Sequence, residues 1–329
     1  NILMGVFASL GFLFTCCYAY MVWSRIPFAA ANLNTALTAV KANLGLMAYA
    51  YIFLFVGFAY SLAWTTISNY VLQINGNYAF LMFLSFYWVQ QVLSNTIHAT
   101  TAGVIGTWWF APAEASSCCS PAIGDSFCRA TTYSFGSICF GSLLVAIIQA
   151  LRATNHYLRS QDDDSAKLLA CIIDCFLACI QGIIEYFNKW AYVYVGLYGY
   201  SYLDAGKNVV TLFQNKGWTT IITDDLAENV LFMMSVVNAL VTGLVGFLVA
   251  SMDQNIFANY GFDSPGGVGF MFGFLVGFVL SSIMMSVVAS AVNTAIVCFA
   301  EAPREFEANH PQLSNEMRVA WRQAWPDEC

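Results

Sequence analysis

The stretch GVGFMFGFLVGFVLSSIMMSVVASAVNTAIVC, residues 267–298, contains no Asp, Glu, Lys or Arg. About 20 such residues in a helix cross the ~30 Å hydrocarbon core of a bilayer, and a helix satisfies its backbone N–H and C=O groups within one segment. Similar runs recur outward from it along the whole chain. Of 329 residues, 59% are apolar, 16% aromatic and 9% charged, whereas a soluble domain is about 25% charged. That balance excludes an ordinary soluble domain, and so much aromatic surface excludes a disordered chain. With 12 Lys and Arg against 19 Asp and Glu, the net charge is -7. Such a chain has no cationic surface to neutralise phosphates, so no nucleic-acid partner is expected. The runs are continuous rather than short and alternating, which argues against an outer-membrane barrel. The fold class read from this pattern is all-α, a polytopic helical membrane protein with the lipid bilayer as its solvent.

Seven spans are predicted, at about 2–23, 43–67, 78–110, 131–153, 168–188, 229–250 and 267–298. Residues 27–43 are Ala-rich but broken by Asn32, Asn34, Thr35, Thr38 and Lys41, and read as an interfacial helix or a short span of its own. Residues 1–300 form the membrane domain and 301–329 an acidic C-terminal tail. Cytoplasmic loops retain Lys and Arg. A cytoplasmic tail places nine of these residues inside and leaves Arg152, Arg159 and Lys167 outside. The same count puts residue 1 outside, so an odd number of further spans would precede it if the true N-terminus is internal. The chain opens at Asn1, inside an apolar run and without a signal peptide's charged region, and is expected to begin part-way through a longer protein. Asp225 and Glu228 have the spacing of a capping box at the start of the sixth span.

Two spans carry polar faces. In the third, Gln91, Ser94, Asn95, His98 and Thr101 stand at i, i+3, i+4, i+7 and i+10, on one side of a helix. In the fifth, Asp174, Gln181, Glu185 and Asn188 repeat the pattern. Such faces cannot look at hydrocarbon. They either hydrogen-bond to neighbouring helices or line an aqueous path. Glu185 and Asn188 could alternatively sit at the cytoplasmic end and pair with Lys189, and Asp174 lies near the opposite end. Aromatic residues crowd these faces, among them Tyr87, Trp88, Tyr186, Tyr192, Tyr194, Tyr198 and Tyr200. Ring faces attract ammonium groups, including quaternary ones that donate no hydrogen bond. Trp108, Trp109 and Trp190 read instead as interfacial belt residues.

Gly269, Gly273, Gly277 and Ser281 place a small residue at every fourth position of the last span, a ridge that lets another helix backbone approach. Asn238, Thr242 and Gly246 form a comparable face on the sixth. Cys171, Cys175 and Cys179 share one helix face too widely spaced for disulfides, and read as packing or lipidated residues. Cys118, Cys119 and Cys128 share one loop, reduced if it is cytoplasmic and able to bridge if it is external. There is no Walker loop, metal-ligand motif or nucleophile elbow, so no enzyme activity, no ATP-driven pumping, no metal and no cofactor is expected.

The segment IIEYFNKWAYVYVGLYGYSYLDAGKNVVTLF, residues 183–213, resembles the choline transporter-like family in its fungal form. The resemblance continues through RIPFAAANLNTALTAVKANLG (25–45), VLSNTIHATTAGVIGTWWF (92–110), FGSLLVAIIQALR (140–152), DDLAENVL (224–231) and CFAEAPREFEANHP (298–311). It implies a ten-span plasma-membrane protein with both termini cytoplasmic, of which this chain holds the last seven spans. It also implies movement of choline or a related small organic cation without ATP. Asn188, Ala191 and Tyr192 match a motif of the animal members, but Gln181 stands where those carry Glu, and Glu185 offers an acidic group one turn further on. The expected function is therefore a facilitative or proton-linked transporter of a choline-like cation. Its path would be lined by Tyr87, Trp88, Gln91, Asn95, His98, Gln181, Glu185, Asn188 and Tyr192, with Asp174 as a further balancing charge. The rival from another class is a non-transporting membrane scaffold whose polar faces only pack and whose tail recruits partners.

Overall fold

A computed structural model describes residues 22–159, 167–217, 226–252 and 265–326, with a few isolated positions before 22. The first predicted span therefore lies largely outside the described residues, as does Asp225. Among the described residues there is no β-strand. The helices are α1 (Ile26–Ala42), α2 (Gly45–Ile74), α3 (Ala79–Phe110), α4 (Pro121–Thr131), α5 (Phe135–Arg159), α6 (Lys167–Tyr198), α7 (Tyr202–Lys216), α8 (Leu226–Met252), α9 (Pro265–Glu301), α10 (Pro303–Asn309) and α11 (Pro311–Ala324). Pro residues open α4, α9, α10 and α11, where the missing N–H costs nothing.

Among the described residues, four helices are long and apolar enough to cross a membrane: α2, α5, α8 and α9. The third and fifth predicted spans fall on α3 and α6, each 32 residues long, or about 48 Å at 1.5 Å per residue. Their polar faces dilute their apolar character. Contacts show that α3 and α6 run parallel, since Asn95 meets Tyr192 and Ala99 meets Gly196. They press closest at Gly196, where an added methyl group would strike the Ala99 carbonyl.

Polar bonds fasten the apolar helices to one another. Antiparallel α2 and α3 are joined by Trp64 Nε1 donating to the Met82 carbonyl (3.0 Å), Tyr60 to the Ser85 carbonyl (3.0 Å), and Gln90 Nε2 to Ser61 Oγ (2.8 Å). Antiparallel α8 and α9 interlock through the two small-residue ridges read from the sequence. Gly246 backs onto the Gly269 carbonyl, and Thr242 fills the space against Gly273 and Gly277. A side chain at any of these glycines would meet backbone or Thr242.

The N- and C-terminal segments depart from the sequence reading. Helix α1 is not simply laid on an interface: Phe28, Asn32, Thr35, Ala36 and Ala39 are buried, and Asn32 Oδ1 accepts a 3.0 Å bond from Trp321 Nε1. The tail is not a free acidic surface either. It folds back as α10 and α11, burying Phe306, Met317 and Trp321. Trp109, expected in a lipid-facing belt, is instead stacked on Phe306 at 3.8 Å, with Nε1 donating to the Ala302 carbonyl (3.1 Å). Trp108 stacks on His310 at 3.9 Å. Trp190 is likewise buried, edge-on to Phe213 at 5.1 Å. These three indoles are covered by protein because α7, α10 and α11 close over them.

Candidate functional site

The polar faces of α3 and α6 open on one cavity of about 540 Å³. Its walls come from four helices: Gln91, Ser94, Asn95 and His98 of α3; Glu185, Tyr186, Asn188, Lys189 and Tyr192 of α6; Glu228 and Ser235 of α8; Ser282, Ser286, Ser290 and Asn293 of α9. A volume of this size lies in the ~300–1,000 Å³ range of small-molecule sites. Six of the nine residues singled out from sequence meet here: Gln91, Asn95, His98, Glu185, Asn188 and Tyr192. The structure does not bring the other three to it. Tyr87 and Gln181 line a second cavity of about 310 Å³, with Gln149, Arg152, His156 and Asp174. Trp88 lines neither, because its indole N–H donates to the Cys139 carbonyl of α5 at 3.0 Å. Thr101 is fully buried in helix packing beyond the cavity's end.

Asn95, His98, Asn188 and Tyr192 are held by partners from other elements. Asn95 Nδ2 donates to Ser142 Oγ at 2.9 Å, and Tyr192 donates to the Ile138 carbonyl at 3.2 Å, so α5 fixes both. His98 Nε2 lies 3.1 Å from the Lys189 carbonyl and Nδ1 lies 2.5 Å from Ser290 Oγ. A carbonyl only accepts, so Nε2 carries a proton, while Nδ1 faces the Ser290 hydroxyl. Tyr202 of α7 donates to Asn188 Oδ1. Glu185 accepts from Gln181 Nε2 at 2.7 Å, and Gln181 Oε1 in turn accepts from Arg152 at 2.8 Å, a polar chain that links the two cavities. Gln91 reaches Gln149 at 3.3 Å across the same partition.

The charges differ from the sequence expectation in one respect. Lys189 pairs with Glu228 of α8 at 2.7 Å, and Glu185 stays exposed on the cavity wall. Glu228 contributes this charge, and the capping-box reading that pairs it with Asp225 lies outside the described residues. Asp174 accepts from Asn155 at 2.9 Å in the second cavity. Among the described residues no three His, Cys, Asp or Glu side chains gather as a metal site would need. Cys118, Cys119 and Cys128 are free thiols, and Cys175 and Cys179 are exposed on α6.

The sequence reading missed the wall built by α9. Ser282, Ser286, Ser290 and Asn293 stand at i, i+4, i+8 and i+11, one helical stripe opposite the His98 face. Tyr194 and Tyr198, read among the candidate aromatics, serve elsewhere: both donate to Glu301, at 3.2 and 2.6 Å, and tie the end of α6 to the end of α9.

Two carboxylates stand on the wall of this cavity, in a chain with membrane-length helices, and comparison with known proteins gives the family. The family model described as plasma-membrane choline transporter matches residues 6–304. The chain belongs to the choline transporter-like family. A CTL-like protein of Dictyostelium discoideum is 31% identical over 238 residues, covering 69% of this chain and 42% of that protein. Protein PNS1 of Mycosarcoma maydis is 38% identical over 180 residues, 54% of this chain and 33% of its own. Protein PNS1 of Gibberella zeae is 31% identical over 335 residues, 91% of this chain and 59% of its own. The chain thus spans about half the length, or less, of these curated relatives. As a choline transporter-like protein with several membrane-length helices, it is a multi-pass membrane protein of a transporter family.

Proposed function

We propose that this chain forms the cation path of a plasma-membrane transporter for choline or a related small organic cation, driven by the substrate gradient or by protons rather than ATP. One observation carries the reading: the cavity shared by α3, α6, α8 and α9 is lined by amide, hydroxyl and carboxylate groups where helix packing alone would leave it filled. Glu185 balances the cation's charge, and Tyr186 and Phe232 offer ring surface to its methyl groups. Asn95, His98 and Asn188 are held by neighbours and give the path a fixed polar wall. In this reading α3 and α6 cross the membrane, the tail is cytoplasmic, and alternating access needs no covalent step. The scaffold alternative calls for dry packing of these faces and a tail free to recruit partners. The cavity and the docked α10 and α11 both favour transport instead.

Uptake of radiolabelled choline into proteoliposomes containing the full-length protein tests this. Saturable uptake is expected, and Glu185→Gln is expected to raise KM about tenfold with the maximal rate less affected, as loss of one balancing charge does. No saturable uptake of choline or ethanolamine by the wild type overturns the transport reading. Unchanged kinetics in the variant remove Glu185 from the path.

A further inference from the structure

We infer that Lys189 is a tethered competitor for the transported cation, and that its partnership with Glu228 sets both affinity and release. The inference rests on the transport reading above. Lys189 Nζ lies 2.7 Å from Glu228 Oε1 and 5.2 Å from the centre of the Trp190 ring. Trp190 is buried outside the cavity, but the Glu228 carboxylate lies on the cavity wall and is a partner an organic ammonium ion seeks. In this structure the protein's own ammonium group takes it.

The arrangement is not the one that local sequence favours. Glu185 and Lys189 are four residues apart on α6, a spacing that places them side by side on one helix. Glu185 nevertheless accepts the Gln181 amide, and Lys189 reaches across the cavity to α8. Among the described residues that line the cavity, Glu185, Lys189 and Glu228 are the Asp, Glu, Lys or Arg side chains. Ionised together, they carry a net charge of one negative, which a single monovalent cation neutralises.

Two properties make the pair exchangeable. The Lys189 side chain is 14% and the Glu228 side chain 40% exposed, so solvent reaches both. The ammonium also rides on a flexible four-carbon stem that lets it leave and return. An incoming cation then shares the field of Glu228 with Lys189, and the returning lysine helps expel it. A quaternary ammonium donates no hydrogen bond to Glu228, so the lysine competes on favourable terms. Binding is weakened so that turnover is kept.

Choline uptake by the full-length protein in proteoliposomes, in a double-mutant cycle, separates this role from a structural one. Lys189→Met leaves two uncompensated carboxylates, and is expected to lower KM about tenfold while slowing maximal turnover. Glu228→Gln removes the carboxylate that an incoming cation would use, and is expected to raise KM about tenfold. The double variant restores the wild-type charge, and its KM is expected to return to within about threefold of wild type. Lys189→Arg keeps the cation and is expected to keep the high KM. If both single variants raise KM, or the double variant is worse than either, the pair only holds α6 to α8 and the inference is overturned. Loss of folded protein in Lys189→Met and Lys189→Gln alike, read by size exclusion in detergent, overturns it in the same way. Absence of saturable uptake by the wild type overturns the transport reading and this inference with it, whereas wild-type uptake with the wrong cycle overturns this inference alone.

Discussion

Ser286→Trp is expected to reduce choline uptake by roughly a hundredfold or more, equivalent to about 2.7 kcal/mol, while the protein remains folded. Ser286 projects from α9 into the cavity and is not part of the packed core; its hydroxyl turns back to the Ile283 carbonyl at 2.8 Å. An indole there meets open space first, so it occupies volume that a ligand needs without forcing helices apart. The control is Val237→Trp on the exposed face of α8, where the native side chain is 51% accessible and borders no cavity described above. That variant is expected to transport as wild type. Initial uptake rates in proteoliposomes, normalised to protein eluting as a monodisperse peak, give the comparison. Equal uptake by the two variants would mean that no substrate passes Ser286.

The second large effect falls on stability. Trp109 is 0% exposed, stacked nearly parallel on Phe306 at 3.8 Å, and bonded through Nε1 to the Ala302 carbonyl. Its own carbonyl receives Asn309 Nδ2 at 2.8 Å. Trp109→Ala removes the ring that seats α10 and leaves a cavity, a change that costs about 3–5 kcal/mol in buried cores. The C-terminal helices α10 and α11 are then expected to come loose. The detergent-solubilised variant should lose several degrees in apparent Tm, and limited proteolysis should cut within 303–324, where the wild type resists. An unchanged melting temperature and cleavage pattern would show that the tail's docking contributes nothing to the fold.

Some of this was legible in the sequence because a helix repeats every 3.6 residues. Gln91, Asn95 and His98, like Glu185 and Asn188, stand at spacings that force a shared face, and amides and carboxylates contrast strongly with their apolar neighbours. The ridge of Gly269, Gly273 and Gly277 was legible for the same reason, since only small residues let α8 come so near. The serine stripe of α9 escaped notice because a hydroxyl is a weak signal. Ser282, Ser286 and Ser290 can each return a hydrogen bond to their own helix, as Ser286 does, and so look harmless in an apolar span. Trp88 was misplaced because periodicity sets direction but not reach, and the Cys139 carbonyl was close enough to take its N–H.

Charge composition misled at the tail. The acidic residues of 301–329 read as a tail able to recruit partners, yet Leu313, Met317, Ala320 and Trp321 stand at i, i+4, i+7 and i+8, the apolar stripe of a docking helix. The partners of charged groups were the least legible. Lys189 could satisfy its charge on Glu185 in its own helix or on Glu228 in another, and it is the Glu228 carboxylate that lies 2.7 Å from its ammonium group. Trp108, Trp109 and Trp190 are buried because α7, α10 and α11 cover them, and a span's end reads as an interface until the helices that cap it are known.

The claim on which the function turns is that water and substrate both reach the face of α3 that looks across to α6 and α9. Ser94 is exposed on that face. In the full-length protein with its exposed cysteines replaced, Ser94→Cys should react with a membrane-impermeant cationic thiol reagent. Saturating choline should slow that reaction several-fold, whereas an equal concentration of sodium should not. No reaction at Ser94→Cys, or a reaction that choline leaves unchanged, would contradict a cation path between these helices.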